Sequence, residues 1–380
     1  MDHYEEMLEE LLSKPKSYYL DRMLERYGAF DLSKVRLVIL FGSGLQTSGY
    51  INAFKKNGIT VLAIADNNKD KNGTRVEGVE IISIDRLLAY PLDTPIIVTT
   101  LHETVVIAQL RTLGFRNVWG HMFISSFYPD KFPFPFWPNP TEHTLAHKKE
   151  ALEGFKLYDD ERSREIYVAL VKHRLTLDGI CIKDLYRSIE SQYFDPELIK
   201  LSRHEAFVDG GAYSGDSLEK FLRYAGGEFD AIYSFEPNPG PFAQLQETVK
   251  RSGKKNIFLY QNALGAEESV LKFRSDRDQA ARLSEEGDIA IDVVALDNVL
   301  AEKKVTFIKL DIEGAELATL KGSEQIMKVQ KPTLAICLYH KLEDLWEIPA
   351  YIKSTGCYNS LYIRKYDDTL LDIICYAIPS

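Results

Sequence analysis

Two short apolar runs of the chain each end in a glycine-rich turn, and each turn is followed by a helical segment and another apolar run. The first run, residues 35–41, enters the turn at residues 42–49, and the second, residues 206–209, enters the turn at residues 210–215. Continuous apolar runs are typical of strands buried on both faces of a parallel sheet. Strand–helix–strand repeats of this length indicate α/β units. The sequence therefore predicts two Rossmann-like, doubly wound α/β domains.

The 380 residues are too many for one ordinary core, and the spacing of the signals places the boundaries. Residues 1–33 are predicted to form N-terminal helices separated at Pro15, and residues 34–126 the first Rossmann-like domain. A segment rich in proline and aromatic residues opens residues 127–205, which continue as a helical linker. Residues 206–380 are predicted to form the second domain. It ends in two strands, residues 360–365 and 371–378, joined as an antiparallel hairpin.

Charge and cysteine usage exclude several classes of protein. The net charge of −10 argues against a nucleic-acid partner, because binding to phosphates requires clustered Lys and Arg. The four cysteines form no CxxC pair, which argues against a zinc or iron–sulfur site and fits a reducing compartment. The N-terminus does not resemble a signal peptide, and no apolar run has the length of a membrane span. We therefore expect a cytoplasmic protein with no membrane partner; a homo-oligomer is compatible with the sequence.

The second glycine-rich turn is followed by an acid at the spacing of a nucleotide-binding sheet. Asp209 ends the strand, and Asp216 and Ser217 open the next helix, whose N-terminus favours groups rich in hydrogen-bond acceptors. Glu236 ends the next strand 27 residues later, where an acid accepts hydrogen bonds from ribose hydroxyls. A tight turn without a ligand is the alternative for the turn alone. The combination with Glu236 favours a cofactor site.

Further polar residues follow two later strands. Asn262 and Ala263 follow the third strand, where they form either an edge for an adenine ring or only a turn. Asp311, Glu313 and Glu316 follow the apolar strand at residues 305–310. Ligands of doubly wound sheets bind at the carboxyl ends of strands, and acids there are costly unless they are paired or used. A favourable interaction with the helix dipole explains Glu316 and leaves Asp311 as a candidate functional residue.

In this order, the motifs resemble the FkbM family of S-adenosylmethionine-dependent methyltransferases. The matching stretches are residues 208–215 (VDGGAYSG), 235–239 (FEPNP), 262–265 (NALG), 296–300 (LDNVL) and 309–322 (KLDIEGAELATLKG). The resemblance covers roughly residues 190–380 and implies a class I methyltransferase fold. One segment departs from the family pattern, because residues 336–340 (ICLYH) carry no acid before the histidine.

The resemblance also implies the cofactor, S-adenosyl-L-methionine, and its site. Residues of the turn and of the helix start would line the methionine and sulfonium end; they are Asp209, Gly211, Ala212, Tyr213, Gly215, Asp216 and Ser217. Glu236, followed by Pro237, would hold the ribose, and Asn262 and Ala263 would lie beside the adenine. Asp311, together with Glu313, would face the methyl-transfer site.

The resemblance also implies the reaction, O-methylation of a hydroxyl on a sugar or another small molecule. A hydroxyl acceptor requires a general base, for which His340 and Asp311 are the candidates; a histidine that only caps a strand end is the alternative for His340. A divalent cation held by the carboxylate oxygens of Asp311 and Glu313 is a further hypothesis. We assign no metal site, because no third ligand beside these two residues is evident in the sequence. Residues 141–205 and 276–288 are candidates for the acceptor pocket.

The first glycine-rich turn supports a weaker prediction. Its pattern is GxGxxxxG, with the third glycine late, and Asp66 ends the next strand. The unit either binds a nucleotide or nucleotide-linked sugar or serves only packing or dimerisation. The alternative functions for the whole chain are an NAD-linked or nucleotide-sugar-modifying enzyme that uses this unit, and a non-catalytic nucleotide-binding protein.

Overall fold

A computed structural model describes residues 2–44, 46–132, 134, 137–273 and 289–379. The chain divides into two compact units. The first contains residues 1–148, 168–185 and 368–370, and the second contains residues 149–167, 186–367 and 371–380. Residues 276–288, predicted as part of the acceptor pocket, lie outside the described residues.

The first unit begins with two helices, and Pro15 lies between them as the N-cap of the second. Strands and helices then alternate. In chain order, the elements are α1 (His3–Ser13), α2 (Lys16–Tyr27), β1 (Leu37–Phe41), α3 (Thr47–Lys56), β2 (Thr60–Ala65), β3 (Arg75–Val76), β4 (Val79–Ile82), α4 (Ile84–Leu87), β5 (Ile96–Val98), α5 (Glu103–Thr112), β6 (Val118–Gly120), α6 (His121–Phe127) and α7 (Pro140–Ala146).

The six strands of this unit form one sheet in the order β3-β4-β2-β1-β5-β6. All pairs are parallel except β3–β4. The middle strands are apolar because both sheet faces are covered, and Ile39, Phe41, Ile96 and Val98 are all buried. The first predicted Rossmann-like sheet is therefore present.

The second unit starts with helices and continues as strand–helix repeats. Its elements are α8 (Lys148–Phe155), the first part of α9 (Glu161–Thr176), β7 (Ala206–Gly210), α10 (Asp216–Tyr224), β8 (Ala231–Phe235), α11 (Pro239–Ser252), β9 (Ile257–Tyr260), β10 (Ala263–Leu264), β11 (Ser269–Phe273), β12 (Ile289–Val294), α12 (Leu296–Val299), β13 (Phe307–Leu310), α13 (Glu316–Lys321), α14 (Glu324–Gln330), β14 (Thr333–Cys337), α15 (Asp344–Ser354), β15 (Tyr358–Lys365) and β16 (Ile373–Pro379). The helix α9 contributes residues to both units.

Seven of these strands form the central sheet in the order β15-β16-β14-β13-β7-β8-β9. The run from β14 to β9 is parallel, and β16 pairs antiparallel with both β14 and β15. The predicted terminal hairpin is confirmed. The chain reverses its direction of winding between β7 and β13, so a crevice opens at the carboxyl ends of these two neighbours.

Aromatic side chains fill one face of this sheet. Phe207 of β7 stacks on Phe221 of α10 with ring centroids 4.6 Å apart. Phe194 contacts both rings and also Phe307 of β13. Buried aromatic contacts of this kind fix α10 against the sheet and thereby fix the turn that precedes the helix.

A separate three-stranded sheet in the order β10-β12-β11 was not predicted from the sequence. Its strand β10 is only two residues long, and β12 pairs with β10 in parallel and with β11 antiparallel. In the described part of the chain, no helix is long and apolar enough to cross a membrane.

Candidate functional site

The site is built where four parallel strands end side by side. Gly210 of β7 is level with Phe235 of β8 on one side and with Leu310 of β13 on the other. Leu310 is in turn level with Ile336 of β14. The predicted polar residues follow these positions directly, so the sheet brings the glycine-rich turn, Glu236 and Asp311 to one edge.

The turn after β7 can be formed only with glycine at two positions. Gly211 has a φ of +75°, and a Cβ atom there would lie 1.8 Å from the carbonyl oxygen of Asp311. Gly215 is the N-cap of α10 with a φ of +98°, and a Cβ atom there would lie 2.8 Å from the Cγ2 atom of Thr248. Since any side chain would push these elements apart, the glycines keep the turn closed against β13 and α11. Between them, Ala212 is buried and Tyr213 is exposed.

Asp209 is fully buried beneath this turn. Its Oδ2 atom accepts a hydrogen bond from the hydroxyl of Ser217 at 2.7 Å, and its Oδ1 atom lies 3.1 Å from the Nζ atom of Lys309. Lys309 also donates to the carbonyl oxygens of Gly210 and Gly211. Both carboxylate oxygens of Asp209 are therefore engaged inside the protein, and the residue acts on the turn by holding it in place.

Lys309 itself is a cation in a buried position. Burial alone lowers the pKa of its ammonium group, but the carboxylates of Asp209 and Asp311 outweigh this effect and raise the pKa above its usual value. The charge is retained because three partners surround it.

Glu236 follows β8 and is held by the backbone. Its Oε2 atom accepts a hydrogen bond from the N–H of Tyr213 at 2.9 Å, and its Oε1 atom accepts one from the N–H of Asn238 at 2.8 Å. Burial raises the pKa of Glu236 despite these hydrogen bonds, so its negative charge is incompletely compensated. Each oxygen can still accept one more hydrogen bond, as a ribose hydroxyl would provide.

The other predicted cofactor residues lie around this edge. Asp216 is exposed at the first position of α10, Ser217 is buried beside it, and Pro237 is half-buried. Asn262 and Ala263 come directly after β9, the neighbour of β8, and Ala263 belongs to the small sheet. The side-chain amide of Asn262 donates to the carbonyl oxygen of Asp292 at 3.4 Å.

Asp311 lies directly after β13 and is accessible. About a quarter of its side chain is exposed (25%). Its Oδ2 atom accepts a hydrogen bond from the hydroxyl of Tyr193 at 2.7 Å, and its Oδ1 atom accepts one from the hydroxyl of Tyr339 at 2.8 Å. Burial alone raises its pKa, but the charges of Lys309 and His340 and the two tyrosine hydroxyls outweigh burial and lower it.

His340 lies three residues after the end of β14, between several carboxylates. Its Nδ1 atom is 2.8 Å from the Oε1 atom of Glu316, and its Nε2 atom is 3.4 Å from the Oδ1 atom of Asp311 and 3.8 Å from the Oε2 atom of Glu313. Burial alone lowers its pKa, but Glu316, Asp311 and Glu313 outweigh burial and raise it to about 9. The two residues predicted as candidate bases, His340 and Asp311, are therefore direct neighbours.

Sequence reasoning missed four residues of this site. Lys309, Tyr193 and Tyr339 bind the predicted acids, and Glu316 contacts His340. Glu316 was assigned to the helix dipole, yet its side chain is fully buried, which that role does not explain. The one available signal was Lys309, a charged residue within an otherwise apolar strand.

The glycine-rich turn of the first unit is built in a similar way but is more completely satisfied. The Oδ2 atom of Asp66 accepts from both the N–H and the hydroxyl of Ser43, and its Oδ1 atom accepts from the N–H of Asn68. The Nζ atom of Lys71 lies 4.0 Å from the same carboxylate. Burial alone raises the pKa of Asp66, but these partners outweigh burial and lower it.

The strand order, the glycine-rich turn and the acids at the strand ends are those expected for the fold of a class I S-adenosylmethionine-dependent methyltransferase. Residues 209–357 match the family model described as the methyltransferase FkbM domain. The second unit therefore carries an FkbM methyltransferase domain. Residues 34–117 match a second family model, described as the C2185-like N-terminal domain.

Comparison with solved structures shows the same fold over the whole chain. The methyltransferase FkbM from Methylobacillus flagellatus KT has 21% sequence identity to this chain, with a TM-score of 0.77 and coverage of 98% of each chain. Aeropyrum pernix fibrillarin, solved with bound S-adenosyl-L-methionine, has 14% identity and a TM-score of 0.34, and covers 51% of this chain and 75% of its own. The latter likeness is too weak to add to the assignment. No curated protein matches the chain.

Proposed function

We propose that this protein transfers the methyl group of S-adenosyl-L-methionine to a hydroxyl of a sugar or another small molecule. The observation that carries the proposal is the convergence of the glycine-rich turn, Glu236 and Asp311 at adjacent strand ends. A ligand that spans these three features must present acceptors to a helix N-terminus, hydroxyl groups to Glu236 and its reactive end to Asp311.

The proposed cofactor pose follows the order of the strands. The turn from Gly211 to Gly215 and the start of α10, with Tyr213, Asp216 and Ser217, receive the methionine end, and Glu236, next to Pro237, accepts hydrogen bonds from the ribose. Asn262 and Ala263 border the adenine, since they follow β9, on the far side of β8. Asp209 contributes indirectly, because its oxygens hold Ser217 and Lys309.

The reaction is an in-line displacement. The acceptor oxygen attacks the methyl carbon while the sulfur–methyl bond breaks with its electron pair moving to the sulfonium, which becomes a neutral thioether. Orientation of two reactants can supply about 7–11 kcal/mol of the barrier. The proton of the acceptor hydroxyl passes to a base at the same edge. Asp311 is the better placed of the two candidates, because a quarter of its side chain is exposed, whereas His340 is nine-tenths buried.

Cofactor binding is tested by calorimetry with S-adenosyl-L-methionine and its demethylated product. Glu236→Gln keeps the size of the side chain, but it removes the charge and can accept only one of the two backbone hydrogen bonds. A hydrogen bond to a charged group is worth about 1.5–3 kcal/mol, so we expect affinity to fall about 10- to 100-fold. Glu247→Gln on the exposed surface of α11 is the matched control. Wild-type affinity in Glu236→Gln would refute the site.

The acceptor is tested with a methyl-labelled donor and a panel of sugars and other hydroxylated compounds, compared with amines and thiols. Transfer to hydroxyl compounds supports the proposal, and transfer only to amines or thiols contradicts O-methylation while leaving methyl transfer intact.

The cytoplasmic location stays a prediction from the four cysteines, all of which are free thiols.

A nucleotide or nucleotide sugar at the first unit also stays a prediction. Asp66 already accepts three hydrogen bonds, two from Ser43 of the glycine-rich turn and one from Asn68, which counts against a ribose contact like that proposed for Glu236. A thermal-shift panel of NAD and nucleotide sugars tests it, since a ligand at a hundredfold excess over its Kd stabilises its site by about 2.7 kcal/mol.

A further inference from the structure

We propose that Asp311, Glu316 and His340 bind a divalent cation at the edge of the sheet. Each residue offers one ligand atom, and the three atoms lie within 4.8 Å of one another. The sequence did not show this set, because it indicated no third ligand beside Asp311 and Glu313. The binding of the cation is independent of the proposed function, whereas a role of the cation in methyl transfer rests on that function.

Local backbone geometry brings the two carboxylates together. Glu313 and Gly314 have φ values of +56° and +97°, so the chain reverses between the end of β13 and the start of α13. The Oε1 atom of Glu316 then accepts a hydrogen bond from the N–H of Ile312 at 2.8 Å, which fixes Glu316 beside the strand end. His340 approaches from the end of β14, the next strand of the sheet. The three ligands thus come from the segments that follow two neighbouring strands and from the start of α13.

The carboxylate of Glu316 has one oxygen that can accept a further hydrogen bond or bind a cation. Its side chain is fully buried, and its Oε2 atom has no hydrogen-bond partner among the described residues. A buried polar atom without a partner costs about 1–3 kcal/mol, and a charged one costs more. A cation or a water molecule held by a cation would satisfy this oxygen.

The negative charge around His340 also favours the binding of a cation. The carboxylates of Asp311, Glu313 and Glu316 gather around one imidazole ring, and the buried carboxyl of Asp344 interacts electrostatically with Glu316. The nearby ammonium group of Lys309 is already bound to Asp209 and two carbonyl oxygens. Clustered carboxylates at a site of low solvent access are stabilised when they coordinate a metal ion.

The ligand types indicate which cations fit. One imidazole nitrogen and two carboxylate oxygens suit Mn²⁺, Fe²⁺ or Zn²⁺ better than Ca²⁺, which takes six to eight oxygens. Ligand atoms about 2.0–2.2 Å from such an ion lie roughly 3 Å from each other. The Nε2 atom of His340 lies 3.4 Å from the Oδ1 atom of Asp311, close to that value, whereas the Oε1 atom of Glu316 lies 2.8 Å from the other ring nitrogen, Nδ1. Because one ligand atom from each residue lies within 4.8 Å of the other two, small side-chain movements would bring all three onto a cation bound at a single ring nitrogen.

A ligating imidazole is neutral, so the cation displaces the proton of His340 to solvent when it binds. With three protein ligands, the cation keeps open positions for the acceptor. An acceptor hydroxyl bound to the cation loses its proton more readily, as water does on a bound metal ion. The proton passes to a carboxylate of the site or to water, and the oxygen then attacks the methyl carbon as the sulfur–methyl bond breaks. The exposed part of Asp311 is where such an acceptor would enter.

Mn²⁺ is the probe for the test, because its free form has a strong electron paramagnetic resonance signal that is lost on binding. The full chain is stripped with EDTA and titrated, with Glu316→Gln as the variant and Glu324→Gln as the control. Glu324 is also the first residue of a helix, α14, but it lies on the surface. We expect one Mn²⁺ per chain in the wild type and the control, and at least tenfold weaker binding in Glu316→Gln.

No stoichiometric Mn²⁺ binding by the wild type up to millimolar concentration, or wild-type affinity in Glu316→Gln, would overturn the site. If Glu316→Gln does not fold, as judged by circular dichroism, His340→Ala takes its place with the same expected loss. Calorimetry with S-adenosyl-L-methionine on the same samples separates the two proposals. Mn²⁺ binding without cofactor binding refutes the proposed function alone, and cofactor binding without Mn²⁺ binding refutes the cation site alone.

Discussion

The buried ion pair between Lys309 and Asp209 provides the sharpest test of how the cofactor edge is held together. Lys309→Met keeps an unbranched side chain of similar length and removes the charge. Asp209 then remains fully buried with only the hydroxyl of Ser217 as a side-chain partner. Breaking a buried ion pair from one side costs about 3–5 kcal/mol, because the remaining charge is uncompensated.

The backbone adds to this loss. Lys309 donates to the carbonyl oxygens of Gly210 and Gly211. The oxygen of Gly210 keeps a second donor, the N–H of Asp311 at 3.1 Å, whereas the oxygen of Gly211 loses the hydrogen bond from Lys309. One such net hydrogen bond is worth about 1 kcal/mol. We therefore expect Lys309→Met to destabilise the second unit by about 4–6 kcal/mol.

Hydrogen exchange of peptides that cover β7 and β13 measures this loss, since protection of core strands reports the free energy of opening. Asp209→Asn combined with Lys309→Met removes both charges, so the double variant should lose at least about 2 kcal/mol less than the sum of the single variants. Lys304→Met is the control, because Lys304 pairs with Asp230 at the surface and should cost less than about 1 kcal/mol. A loss below about 1.5 kcal/mol in Lys309→Met, or additive single effects, would refute this account.

Two more changes test the glycine-rich turn and the pH dependence of stability. Gly211→Ala should abolish cofactor binding in calorimetry, because its Cβ atom would collide with the carbonyl oxygen of Asp311. Gly253→Ala is the control, since Gly253 has a similar φ of +66° and open space around it, and it should cost only about 1 kcal/mol of stability and leave affinity unchanged. Equal affinities in the two variants would contradict this expectation. Burial and the charge of Asp311 raise the pKa of Asp372 to about 6, so the native state binds more protons than the unfolded state between about pH 4 and 6, and stability falls as pH rises through that window. Asp372→Asn should remove this slope and stabilise the protein at pH 7 by about 1–2 kcal/mol. The variant is compatible with the fold, since the amide oxygen can keep the hydrogen bond from Gln192 and asparagine tolerates the φ of +52°. Urea unfolding from pH 4 to 8 measures the effect, and the same pH dependence of stability in the two proteins would exclude it.

The sequence predicted those parts of the site that depend on a single strand and the turn after it. An apolar run shows where a strand lies, and the polar residue that follows marks its end, so Glu236 and Asp311 could be placed from local pattern alone. Parallel order then put them at one edge, because carboxyl ends of parallel strands meet. The observed strand order β14-β13-β7-β8, which the sequence did not specify, agrees with this reasoning.

Residues whose roles depend on distant contacts could not be predicted in this way. Tyr193 lies in a segment that the sequence assigned to a linker, yet it donates to Asp311, which is 118 positions later. Lys309 and Asp209 are a hundred positions apart and meet only because β13 and β7 are neighbours. Nothing in a periodic pattern specifies which side chains from separate segments become partners.

The two glycine-rich turns show why similar local patterns can have different uses. Asp66 and Glu236 each end the second strand of their sheet, and each accepts hydrogen bonds from the N–H of its turn and from the N–H two residues later. Asp66 also has the hydroxyl of Ser43 and the nearby ammonium group of Lys71, and its pKa is lowered. Among the described residues, Glu236 has only the two backbone donors, and burial raises its pKa. A hydrogen bond from a ligand hydroxyl therefore stabilises the carboxylate of Glu236 more than that of Asp66. The negative charge of Glu236 is less compensated, and this difference favours the second turn as the cofactor site. The spacing of the motifs does not show it.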